Sequence, residues 1–310
     1  MEHKFLLPVR FEELLKYHSM NYHITPLLTL FGLLVLFSCN NPTPTPEKYG
    51  GMILYTVRDQ MANQPVETLK QISDLGYRNI EDAGYKDEAF YGMQPLEYKA
   101  VLDSLGLVPI SSHQAMISFD NVDQTIADLK SVGFKYLVVP IPPMGQFTYD
   151  VETNKMGMTG GSELLARVLD SLGKKCVDAG LKLWYHNHDF EFAPDENGVV
   201  PYNYLLEHTN PNYVNFEMDL YWINKAGADP LTYFEKYPGR FRSWHVKDLD
   251  AQGRFAPVGQ GTLDFAKYLA QKDLAGMEYY FVEQDMTFDG MTPLESLKIS
   301  HEAIKKLGFQ

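Results

Sequence analysis

"GSELLARVLDSLGKKCVDAGLKLWYHNH", residues 161 to 188, decides how the rest of the chain is read. Residues 161 to 180 carry an amphipathic helical pattern that closes on Gly180, as helix C-termini favour. The apolar run that follows is too short for another helix and reads as a buried strand. It ends in His186, Asn187 and His188, with Asp189 and Glu191 just beyond. A helix, a glycine stop, a strand and then a dense set of proton-transferring and metal-capable groups form one unit.

The unit recurs in both directions. Strand candidates are "GMILYTV" (51–57), "YRNIEDA" (77–83), "LVPISSH" (107–113), "YLVVPIP" (136–142), "LKLWYHNH" (181–188), "VNFEMDL" (214–220), "FRSWHVKD" (241–248) and "YYFVEQD" (279–285). Helical stretches such as "PVETLKQISDLG", "PLEYKAVLDSLG" and "VDQTIADLKSVG" lie between them, and Gly76, Gly106 and Gly133 stop helices as Gly180 does. Eight strands alternating with helices over about 260 residues predict an α/β fold, a (β/α)8 barrel, across residues 50–310. A doubly wound open sheet would want a glycine-rich phosphate loop after its first strand, and "YTVRDQMANQP" has none.

Chemistry in such a barrel belongs at the C-terminal ends of the strands. Six of the eight strands deliver ionisable groups there: Glu81 and Asp82, His113, His186 with His188 and Glu191, Asp219, His245 with Lys247 and Asp248, and Glu283 with Asp285. Asp248 reads as a cap for the following loop, and Trp184, Tyr185 and Phe190 as packing. Lys247 and His245 share one strand parity and so face the barrel mouth together. Asp219, His245 and Glu283 form a carboxylate and imidazole set suited to a divalent metal, Mn, Mg, Co or Zn. Either Glu191 or His186 completes it. Glu191 favours Mn or Mg, whereas His186 favours Zn or Co.

The motifs "YHNHDFEF", "NFEMDLYW", "WHVKDLD", "PVGQGTLDF" and "FVEQD" resemble the xylose isomerase-like TIM-barrel family of sugar phosphate isomerases and epimerases, the group of tagatose 3-epimerase and inosose dehydratase. The resemblance extends from Gly50 to Gln310. It implies metal ligands Glu, Asp, His and Glu on strands five to eight, of which Asp219, His245 and Glu283 match in type and order. On strand five this chain departs, with His186 at the expected place and Glu191 five residues later. The preserved charge favours Glu191 as ligand, with His186 and His188 toward substrate. Gln260 in "PVGQG" is a second departure, where relatives often carry Glu.

The implied reaction removes a proton beside a sugar carbonyl and passes through an enediolate, giving an isomer, an epimer or, with a β leaving group, an elimination product. His188 is the favoured base and Glu283 the other candidate. Lys247 serves the oxyanion or the leaving group, and Glu81, His113 and His186 contact substrate.

The first fifty residues differ in kind. "LLTLFGLLVLF" (27–37) is too short to span a bilayer and suits a signal-peptide core. "LFSC" then resembles a lipoprotein lipobox. The expectation is a signal segment over 1–38, starting at Met1 or Met20, a Pro/Thr-rich tether over 39–49, and a lipid on Cys39 holding an exported enzyme to a bacterial membrane on its periplasmic face. Only Cys176 remains beyond it, which excludes an internal disulfide framework. Lys4, Arg10 and Lys16 balance Glu2, Glu12 and Glu13, so the net charge of −13 belongs to the rest. That acidity opposes a nucleic-acid partner. It also opposes a metal-dependent nuclease of the endonuclease IV type, which shares this barrel. Export and the lack of an arginine cluster point to non-phosphorylated sugars or 3-keto-glycosides. A sugar-binding lipoprotein without catalysis is the rival reading, which the retained Asp219, His245, Glu283 and Lys247 oppose. Self-association into a homo-oligomer is left open.

Overall fold

The computed structural model describes residues 51–309. The signal-type segment, the tether, Met20 and Cys39 lie outside the described residues. Eight parallel strands close into a barrel: β1 Gly51–Ile53, β2 Asn79–Asp82, β3 Val108–His113, β4 Tyr136–Val139, β5 Lys182–His186, β6 Val214–Asp219, β7 Phe241–Val246 and β8 Tyr279–Val282. Each pairs with its sequence neighbours, and β8 closes on β1 through Gly51 opposite Phe281 and Met52 opposite Val282. The (β/α)8 expectation is met.

Helices α1 Pro65–Leu75, α2 Pro95–Ser104, α3 Val122–Val132, α4 Gly161–Asp178, α5 Pro201–His208, α6 Pro230–Lys236, α7 Phe265–Leu269 and α8 Pro293–Leu307 follow the strands in turn. Gly76, Gly106, Gly133 and Gly180 all have positive φ, between +66° and +109°. That left-handed conformation lets the last carbonyls of a helix find partners, and it favours glycine.

The alternation of side chains along each strand sets two environments. Leu183 and Tyr185, Phe216 and Met218, Trp244 and Val246, and Tyr280 and Val282 point outward into the main core under the helices. The opposite parity points inward. Its lower layer is apolar, with Ile110, Tyr136, Val138, Trp184 and Phe281 packed together. Trp184 stacks on Tyr136 with ring centroids 3.8 Å apart, so it plugs the barrel. Above this plug the same parity brings His186, Glu217 and Asp219, His245 and Lys247, and Glu283 to the mouth.

Several predicted strands are shorter than the apolar runs that announced them. β1 ends at Ile53, and Leu54–Val57 turns into a 3-10 helix. Three antiparallel hairpins rise beyond the strand ends: Tyr85–Lys86 with Ala89–Phe90, Phe147–Asp150 with Lys155–Met158, and Asp248–Leu249 with Phe255–Ala256. They build the walls of the mouth. Asp248 caps the last of them, accepting from the backbone N–H groups of Leu249, Gly259, Gly261 and Leu263. A Cβ on Gly261 would collide with that carboxylate, which explains the glycine there. Among the described residues no helix is long and apolar enough to cross a membrane.

Candidate active site

The polar layer has two tiers sharing His245. In the lower tier, His245 Nε2 lies 2.6 Å from Glu81 Oε1 and 3.1 Å from Glu217 Oε2. His113 Nε2 meets the same two carboxylates at 3.1 and 3.0 Å. The outer lone pairs of the acids are also used, since Ser111 donates to Glu81 and Ser243 to Glu217. Burial opposes charge on His113, but Glu81 and Glu217 overcome it and push the ring up to about 9. Burial also opposes charge on Glu217, and His245 with His113 holds it well below the usual carboxylate range.

In the upper tier, His245 Nδ1 lies 2.7 Å from Glu283 Oε2 and 3.8 Å from Asp219 Oδ2. One ligand atom from each of His186, Asp219, His245 and Glu283 falls within 4.8 Å of the others, all four residues being buried. Lys247 stands beside this group, its ammonium 3.0 Å from Asp219, 2.6 Å from Glu283 and 2.7 Å from Asp285. Those three carboxylates more than offset its burial and hold it charged, well above 10.5. Burial drives Asp219 up to about 6 against the pull of Lys247. Burial drives His186 down to about 3, which leaves a neutral ring able to act as a ligand.

Two buried atoms of this tier make no hydrogen bond: His186 Nδ1, and Asp219 Oδ2 despite the ammonium 3.0 Å away. Two imidazoles and two carboxylates with unspent lone pairs fit a borderline divalent cation such as Zn, Co or Mn.

On strand five the grouping places His186, rather than Glu191, with the other three residues. Glu191 sits on the 3-10 turn Phe190–Phe192 and belongs to neither group of metal-capable atoms. Its oxygens accept from the Tyr185 hydroxyl at 2.8 Å and the His188 backbone N–H at 2.9 Å. Burial raises its carboxyl to about 8, so it ties the end of β5 to the turn that follows. His186 stands with Asp219, His245 and Glu283 instead. Glu81, expected to contact substrate, is fully buried against His245 and does not line the cavity. His113, His186, His188 and Glu283 do line the cavity. His188 is neutral, though burial, His186 and Lys247 hold it well below its ordinary value rather than near neutrality. Its Nδ1 is buried without a hydrogen bond.

Glu217 and Ser243 escaped the sequence reading. Each precedes a recognised residue, Asp219 or His245, by two positions, and that parity is the signal that could have found them. Asn187 was noted only as part of its motif. Its amide exchanges hydrogen bonds with the Asp219 backbone, accepting at 3.0 Å and donating at 3.4 Å, and so locks β5 to β6 at the site.

Comparison with known proteins agrees with this geometry. The family model described as "Xylose isomerase-like TIM barrel" matches residues 69–281. An inosose dehydratase from Clostridium botulinum is 26% identical over 164 residues, covering 46% of this chain and 53% of that protein. Another, from Lacticaseibacillus casei, is 27% identical over 121 residues, 33% of this chain and 40% of its own. The chain thus spans about half the length of these curated relatives or less. A sugar phosphate isomerase/epimerase structure from Parabacteroides distasonis superposes with a TM-score of 0.68 at 25% identity, covering 83% of this chain and 98% of that one. The zinc-bound structure of an IolI protein shares the fold, with a TM-score of 0.61 at 14% identity over 83% and 96% of the two chains. A family match over residues 69–281 and a closed barrel of eight parallel strands lead to one statement: the chain belongs to the xylose isomerase-like TIM barrel family.

Proposed function

We propose that the protein is a divalent-metal-dependent enzyme that removes a proton beside a sugar carbonyl, acting as an isomerase or epimerase or as a keto-sugar lyase. The observation that carries this reading is the buried group His186, Asp219, His245 and Glu283, beside Lys247, with His186 and Glu283 lining the cavity. His186, Asp219, His245 and Glu283 would hold the cation. When bound, the metal supplies Lewis acidity toward the substrate carbonyl.

The chain's own residues do the rest. The lower tier fixes the ring of His245, because Glu81 and Glu217 hold its Nε2–H and leave Nδ1 facing the ligand group. We assign proton abstraction to His188, a neutral ring that lines the cavity, since Glu283 is already engaged by His245 and Lys247. Return of the proton to the other face gives an epimer, and to the neighbouring carbon an isomer. Where a β oxygen can leave, the C–H pair becomes a C=C bond, the C–O bond breaks, and Lys247 gives a proton to the departing oxygen.

Non-phosphorylated sugars or 3-keto-glycosides are the proposed substrates. The buried ammonium at the cavity floor is spent on three carboxylates, which together repel a phosphate. The relatives' names support the reaction class.

Proton exchange tests the proposal. The protein is stripped of metal, reloaded with Mn or Zn, and incubated in D2O with ketoses and 3-keto-glycosides. Deuterium should enter the carbon beside the carbonyl only with metal, and Asp219→Ala should abolish it. Absence of exchange across the panel, with metal binding confirmed, would sink the enzymatic reading in favour of a binding protein.

The same proposal takes the enzyme to be exported and lipid-anchored at Cys39, on the strength of "LLTLFGLLVLF" and "LFSC". Metabolic labelling with a tritiated fatty acid should mark the wild type and not Cys39→Ala; equal labelling of both would refute the anchor.

A further inference from the structure

We infer that the substrate has two parts, a sugar ring on the cavity floor and an aromatic aglycone against the upper wall, so that the enzyme acts on glycosides rather than free monosaccharides. For the sugar end this rests on the proposed proton chemistry; the aglycone end rests on the cavity itself. The volume is about 1440 Å³, beyond the roughly 300–1,000 Å³ that encloses a drug-sized ligand. A single hexose at the floor would leave most of it to water.

The lining divides by height. His113, His186, His188, Glu283 and Asp285 make the floor, and Tyr55, Met156, Phe190, Trp222, Phe255 and Met286 line the space beyond the strand ends. Part of that wall is an apolar cluster of its own, Tyr221, Trp222 and Phe255 with Met156 packed against them, separate from the main core. A wall of aromatic faces and an adaptable thioether suits a flat ring better than it suits sugar hydroxyls.

Trp222 and Phe255 also reach the floor, their rings 5.5 and 5.4 Å from the Lys247 ammonium and Trp222 5.3 Å from the ring of His188, while Met156 and Met286 stand clear of the groups assigned to proton transfer. Met156, Phe190 and Phe255 come from the hairpin at 147–158, the turn at Phe190–Phe192 and the hairpin at 248–256, which carry none of the candidate ligands, whereas Trp222 lies on the helix Leu220–Lys225 that Asp219 caps. Toward the rim, Met116 is 84% exposed, Met286 54% and Tyr149 51%, all of them lining the same cavity. Large apolar side chains gathered at one mouth are the mark of a surface that an apolar ligand covers.

Calorimetry on the full-length, metal-loaded protein tests this with 4-nitrophenyl β-D-glucopyranoside and methyl β-D-glucopyranoside. Neither has the carbonyl that proton abstraction needs, so the result is independent of turnover. The nitrophenyl glycoside should bind at least tenfold more tightly, about 1.4 kcal/mol. Met156→Ala and Phe190→Ala should each shrink that preference threefold or more while leaving the methyl glycoside within twofold. Equal affinities in the wild type, undetectable binding of both glycosides, or a preference untouched in both variants would overturn the inference. Deuterium exchange on free ketoses alongside any of those results would leave the proton chemistry standing and remove only the aglycone.

Discussion

Lys247→Met should destabilise the metal-free protein by about 3–5 kcal/mol and at the same time tighten its hold on a divalent cation. In the wild type one ammonium stands among Asp219, Glu283 and Asp285 inside the barrel mouth and offsets part of their charge. Methionine preserves much of the shape but leaves Asp285 without its counter-charge and Asp219 and Glu283 with His245 alone, and a buried charge that loses its partner is expensive. A divalent ion then restores the balance without having to compete with the ammonium. Urea denaturation without metal should show the loss. Titration with Mn or Zn should show affinity raised about tenfold, which at saturating metal returns about 1.4 kcal/mol more stability than the wild type gains. Where Lys247 protonates the leaving group, elimination should fall in the metal-loaded variant while deuterium exchange beside the carbonyl persists. Weaker metal binding in Lys247→Met would refute the competition.

Glu217→Gln should have an effect of similar size through a different route. Glu217 faces His113, His186 and His245 from beneath, at 3.0, 3.5 and 3.1 Å. The amide keeps the volume and the contact with Ser243 but removes the charge that helps hold the two raised imidazoles. Loss of one side of a buried ion pair predicts about 3–5 kcal/mol in chemical denaturation. Because His245 also loses a partner for its Nε2–H, metal affinity should drop ~10–100-fold, as expected when a ligand's hydrogen-bond support is removed. A purely structural role would lower stability and leave the metal affinity of the folded fraction unchanged, so the two measurements together decide. If neither moves, Glu81 alone, at 2.6 Å, is enough to orient the ring.

The fold was legible because helix stops and short strands recur at regular spacing, and that periodicity is written in local sequence. Asp219, His245, Lys247 and Glu283 were legible for the same reason, each lying at a strand end with the parity of the barrel interior. Glu217 carries the same parity, but it sits inside "NFEMDL", where one acid drew attention away from the other two positions upstream. Glu191 was favoured on charge, whereas the structure groups the residue favoured on position, His186, with Asp219, His245 and Glu283. The burial of Glu191 depends on the turn after β5, and on a tyrosine hydroxyl from the outward face of that strand, neither of which is visible in a linear pattern. The size of the cavity was invisible too. It arises from three hairpins that the closed barrel sets around one mouth, and their short extended pairs have no strong apolar repeat.

The hairpins and the strands answer to different constraints, and this governs how the protein can diversify. Groups borne on β5 to β8 are locked by ladder register: a one-residue insertion there would turn His186, Asp219 or His245 into the helix layer and exchange them for Tyr185, Met218 or Trp244. The walls have no such tie. Lengthening or replacing the segment between Phe147 and Met158 alters what the mouth admits without shifting any residue of the polar tiers. Paralogues can therefore drift in ligand scope by loop exchange while inheriting one reactive centre unchanged, the strands setting the type of reaction and the hairpins setting its clientele.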